Sequence, residues 1–93
     1  MEFAYDRPGY FRNLPDRDLD NIIRDFRSAL GLIHINRYTM LIQFFKLPQM
    51  LPRVRNWLRI ALNEVERRDL EDIETNITRG AGFMGHGLKW YND

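Results

Sequence analysis

Ninety-three residues, 44% of them hydrophobic and 29% charged, fit one globular domain and exclude a long disordered chain. A chain of this length buries only roughly 60–65% of its unfolded surface, so its core has little to spare. The absence of cysteine excludes disulfides and thiolate metal sites and suits a reducing, cytoplasmic setting, while the net charge of +1 averages over two blocks of opposite sign.

Residues 1–14, MEFAYDRPGYFRNL, read as an irregular arm. Pro8-Gly9 signals a turn, and the aromatics Phe3, Tyr5, Tyr10 and Phe11 follow no helical period. Glu2 and Asp6 stand where a secretory signal would need an apolar run. The helical core is expected over 15–79. Its first helix is the clearest: Leu19, Ile22, Ile23, Phe26, Ala29 and Leu30 recur at helical spacing. Pro15 and the aspartates 16, 18 and 20 suit its start, and Gly31 its stop.

A second helix is expected from about Arg37 to Lys46, with Asn36 as its cap and Met40, Leu41, Phe44, Phe45 and Leu47 on its apolar face. A third begins near Pro52 and aligns Val54, Trp57, Leu58, Ala61, Leu62 and Val65. Beyond Val65 the apolar row shifts to Leu70, Ile73 and Ile77, rotated by roughly 100° or more. Either the helix curves round a second partner, or a new helix starts with Asp69 as cap; Gly80 ends it. The expected fold is therefore all-α, a small bundle of three to four helices. The expected core is Leu19, Ile22, Phe26, Leu41, Phe44, Trp57, Leu58, Ala61 and Val65. Residues 80–93 form a second arm with four glycines and with Phe83, Met84, Trp90 and Tyr91.

Charge is unevenly distributed along this layout. From Phe26 through Asn63 there is no acid, while Arg27, Arg37, Lys46, Arg53, Arg55 and Arg59 fall inside that stretch. Residues 64–74 then hold six acids against Arg67 and Arg68. On the third helix, Arg53, Arg55, Asn56, Arg59, Asn63 and Arg67 lie opposite the apolar row. Arginine and asparagine can contact phosphates and base edges, and the missing acids remove the repulsion that would oppose this. The same face could instead be solvated, or could meet an acidic protein surface, including the acidic block of a second copy.

Other constellations carry less. Gly80-Ala81-Gly82-Phe83-Met84-Gly85 spells the dinucleotide fingerprint, but a helix precedes it and only eight residues follow. The fingerprint needs a strand before it, a helix after it and an acid about twenty residues on. His34 and His86, far apart, are too few for a metal site. Asp69–Asp72 and Glu71–Glu74 are spaced to meet on a helix, as the acids of many solvated faces are, and no nucleophile–base pair accompanies them. No segment carries a family signature, and the spacing around Pro48 and Pro52 offers no helix-turn-helix pair.

The reading is of a non-enzymatic small helical subunit of a larger nucleoprotein assembly, without cofactor, metal, small-molecule substrate or membrane contact. Phe3, Tyr5, Trp90 and Tyr91 would dock on a partner protein or on copies of the chain itself, and the Arg/Asn face would follow an RNA or DNA backbone. The alternative is an adaptor or inhibitor that binds protein alone.

Overall fold

The computed structural model describes residues 2–34 and 39–79. Two short 3-10 turns, Ala4–Asp6 and Phe11–Asn13, precede three helices: α1 over Asp16–Ala29, α2 over Met40–Phe45 and α3 over Leu51–Arg79. The described residues contain no strand, and the fold is a small all-α bundle. Helix α1 packs on both α2 and α3, and the second 3-10 turn sits on α3.

Helix α1 follows its sequence pattern. Leu19, Ile23, Phe26 and Ala29 are buried, and Ile22 and Leu30 pack at the margin of the core. The helix ends at Gly31, whose φ of +74° places it in the left-handed region that glycine enters without penalty. The Gly31 N–H donates to the Ser28 carbonyl at 3.0 Å and the Leu32 N–H to the Arg27 carbonyl at 2.8 Å. These are the paired bonds of a Schellman C-cap.

Helix α2 departs from expectation in length and in facing. It spans six residues, Met40–Phe45, and the Thr39 hydroxyl caps it by accepting from the Ile42 N–H at 3.1 Å. Asn36, the expected cap, and Arg37 lie outside the described residues. The buried pair is Ile42 and Phe45, three apart, each 1% exposed. Leu41 and Phe44, both expected in the core, are about 40% exposed, and Met40 and Leu47 are exposed with them. The stretch Met40–Phe45 is apolar at every position but Gln43. Local sequence therefore does not choose a face, and tertiary contact does: Phe45 meets Tyr5, Phe26 and Trp57.

Helix α3 is one uninterrupted helix of 29 residues, about 43 Å long. Pro52 falls in its first turn, where a missing N–H costs nothing. Val54, Trp57, Leu58 and Ala61 are buried and Val65 packs beside them. No new helix starts at Asp69. From Asp69 to Ile77 every residue is exposed, so the last three turns run past the core.

The first arm is part of the bundle. Phe11 is buried, and Phe3, Tyr5, Tyr10 and Leu14 pack on the core. The Tyr5 ring lies 4.9 Å from Trp57, 5.5 Å from Phe26 and 5.9 Å from Phe45, centroid to centroid. Phe3 lies 5.4 Å from Trp57. The chain at this end thus completes an aromatic cluster around Phe26, which is fully buried. Asp6 supplies the polar complement: its Oδ1 accepts from the Trp57 indole N–H at 2.7 Å. An indole buried this far needs such a partner.

Candidate nucleic-acid interface

The arginines of α3 divide into two groups by what they touch. Arg67 and Arg68 belong to an ion network centred on Glu64, a carboxylate only 8% exposed. Arg67 donates to Glu64 through Nε and Nη2, at 3.0 and 2.8 Å, and through Nη1 to Glu71. Arg68 donates through Nε to Glu64 at 2.7 Å and through Nη1 to Asp16 at 2.6 Å. Its Nη2 reaches the carbonyls of Phe11, Arg12 and Leu14, at 3.1, 3.2 and 2.6 Å. Arg68 therefore ties the second 3-10 turn and the start of α1 to α3. The hydrogen bond from Arg67, helped by that from Arg68, outweighs burial and holds the Glu64 carboxyl well below its ordinary value, at about 2. The same bonds raise the already high pKa of both guanidiniums.

Arg67 is thus paired with two carboxylates, while it lines the same groove as Asn56 and Asn63 and keeps its side chain 39% exposed. Sequence reasoning missed the Glu64–Arg68 strut. The i,i+3 and i,i+4 spacings to Glu64 were legible, but the three carbonyls that Arg68 gathers come from more than fifty residues away and leave no local signature.

The first half of α3 is different. Arg53 lies with its guanidinium 5.3 Å from the Phe3 ring centroid and 3.9 Å from Asp6, so it is steered by the arm while about half exposed. Arg59 donates to Asn56 Oδ1 at 2.9 Å and touches no acid among the described residues. Arg55 projects into solvent on an exposed position. Asn63 is exposed, and with Asn56 it lines an open groove of about 510 Å³ between α3 and residues 5–12. Arg7 and Arg12 line the same groove, together with Tyr10 and Ile60. Arg7 meets Glu2 only at 4.0 Å, with both side chains exposed. Arg53, Arg55, Asn56, Arg59 and Asn63 are thus all exposed on the first half of α3, and the two arginines of the arm share a groove with Asn56 and Asn63.

The expected docking aromatics fall in two places. Phe3 and Tyr5 fold back on the domain's own core and are half-buried, which is the opposite of an outward-reaching arm. Burial also raises the Tyr5 hydroxyl pKa. Trp90 and Tyr91 lie outside the described residues, as do His86 and the glycine fingerprint. The residues leading into that fingerprint are the end of α3, not a strand.

Among the described residues no three His, Asp or Glu side chains converge as metal ligands. Glu66, Asp69, Asp72 and Glu74 are exposed along α3. No helix of the described residues is long and apolar enough to cross a membrane. Comparisons with protein-family models, with curated proteins and with solved structures return no match.

Proposed function

We propose that the chain is a non-catalytic helical subunit that lies along a polyanionic backbone, RNA or DNA, within a nucleoprotein assembly. The observation that carries this reading is the exposed stretch of α3 where Arg55 and Arg59 meet no carboxylate among the described residues, with Arg53, Asn56 and Asn63 exposed on the same helix and Arg7 and Arg12 across the groove from Asn56 and Asn63. Guanidiniums held on a rigid helix approach phosphate oxygens with two parallel donors and little ordering cost. Contacts of this kind position a protein on a backbone without reading its sequence. Arg67 takes no part, because binding phosphate would require it to leave Glu64 and Glu71.

A second reading, an adaptor or inhibitor that binds only protein, is favoured by the exposed apolar residues Met40, Leu41, Phe44 and Leu47 around α2. Native purification with and without nuclease separates the two. Under the proposal, the chain co-purifies with nucleic acid, and nuclease releases it from at least part of its assembly. Recovery of one unchanged protein complex under both conditions, free of nucleic acid, would establish the adaptor instead.

A further inference from the structure

The last three turns of α3 present an aliphatic seam on the side of the helix away from the core. Leu70, Ile73 and Ile77 are 58%, 44% and 37% exposed. At about 100° per residue they share an arc of about 80° with Arg55, Arg59, Leu62 and Glu66. All seven positions are exposed. The seam therefore runs almost the full length of α3, spaced by threes and fours as a helix-pairing stripe is.

Charge decides what fits the seam. In residues 51–63 of α3 there are three arginines and no acid, and in residues 64–79 there are six acids and three arginines. Two of those three, Arg67 and Arg68, are taken up within the chain by Glu64, Glu71 and Asp16. Glu66 lies on the seam, and Asp69 and Glu74 border it. Helix α3 is thus positive at one end and negative at the other, along the face that also carries the aliphatic residues.

We propose that the seam is the contact surface for a second copy of this chain, with the two α3 helices antiparallel. Antiparallel pairing in the register that sets Arg55 beside Ile77 of the other copy brings Arg59 beside Ile73 and Glu74 and Leu62 beside Leu70, with Glu66 at the two-fold axis. Parallel pairing would set arginine against arginine and acid against acid. The two bundles lie on the outer sides of the pair, because each core packs on the opposite side of α3. The aliphatic seam supplies apolar burial that one chain leaves unused. This contact does not depend on the nucleic-acid reading, but it draws on the same Arg55 and Arg59, so a paired chain offers fewer arginines to a phosphate backbone.

The test is sedimentation equilibrium of the full chain without nucleic acid, across the micromolar to millimolar range. The expected result is a monomer–dimer equilibrium that weakens as salt is raised. Combining Leu70→Gln, Ile73→Gln and Ile77→Gln should weaken dimerisation by at least about tenfold, at unchanged helical circular dichroism. Two charge variants complete the experiment. Arg55→Glu with Arg59→Glu, and Glu66→Arg with Asp69→Arg and Glu74→Arg, should each be monomeric alone, and an equal mixture should pair. A chain that stays monomeric throughout the range, or a dimer that the seam and charge variants leave unchanged, would overturn the proposal. Attachment of cysteines settles orientation: copies carrying Arg55→Cys should cross-link with copies carrying Ile77→Cys more readily than either with itself, and the reverse preference would refute antiparallel pairing.

Discussion

Phe26 and Glu64 are the two residues on which most of this chain's architecture turns, one apolar and one charged. Phe26 has no exposed surface and touches rings from every part of the bundle: Tyr5, Phe11, Phe45 and Trp57. Phe26→Ala leaves a cavity that these rings can fill only by moving together, and is expected to cost about 3–5 kcal/mol. That is a large part of the stability of so small a domain. Urea unfolding checks it, and an unchanged midpoint would show that the cluster collapses freely. Glu64 acts through charge. Its folded pKa, about 2, lies below the ordinary 4.5. Its ionised form therefore stabilises the fold fully above the ordinary value, and that stability is lost as pH falls through about 5 towards 2. The melting temperature should drop across this window. In Glu64→Gln the drop should be smaller, from a lower starting point, because Arg67 and Arg68 have lost their common acceptor. Parallel curves for the two proteins would remove Glu64 from the account.

At the scale of elements, legibility in the sequence followed how much of each element's environment is local. Helix α1 could be read nearly whole, because its apolar period, its acidic start and Gly31 all lie within it. Gly31→Ala tests the stop directly. Among the described residues nothing beyond its chain neighbours lies within 4 Å of an added Cβ, so there the positive φ is what opposes it. The expected cost is about 1–2 kcal/mol in thermal or urea unfolding; a neutral substitution would mean that the chain leaves α1 by another route. Helix α2 could be read as a helix but not by face, since an almost wholly apolar run offers several equivalent stripes. Phe45 is inside because Tyr5 of the arm, Phe26 of α1 and Trp57 of α3 all lie on that side. In α3 the rotation of the apolar row after Val65 was visible. Its cause was not: a helix already nucleated by its packed half propagates at little cost, so it need not end where the core ends.

For the whole molecule, the first fourteen residues change sides. Their aromatics looked like a free arm because no helical period organises them, yet they close the core through ring contacts and through Asp6 on Trp57. Such contacts join residues from 15 to 54 apart, as in Phe11–Phe26 and Phe3–Trp57, and have no sequence period. The same folding recasts the candidate interface. It withdraws Phe3 and Tyr5 into the core and Arg67 into an ion network. It adds Arg7 and Arg12, and among the described residues Arg55 and Arg59 meet no acid. The exposed arginines of α3 and the exposed apolar residues of α2 adjoin at Phe3, whose ring lies 5.3 Å from the Arg53 guanidinium and 6.3 Å from the Phe44 ring.

The central claim, that the α3 flank neutralises phosphates, is tested most directly by the salt dependence of nucleic-acid binding. Log affinity for single- and double-stranded nucleic acid should be measured against log salt on the purified assembly, for the unaltered chain and for two variants. Replacing Arg55 and Arg59 by Gln keeps helix propensity nearly constant. It should weaken binding to all sequences alike and flatten the slope by about 1.4–1.8, at 0.7–0.9 per lost phosphate contact. Arg67→Gln should leave the slope unchanged, because Arg67 is held by Glu64 and Glu71. Equal slopes for the unaltered and the Arg55/Arg59 proteins, or no measurable affinity at physiological salt, would contradict the claim.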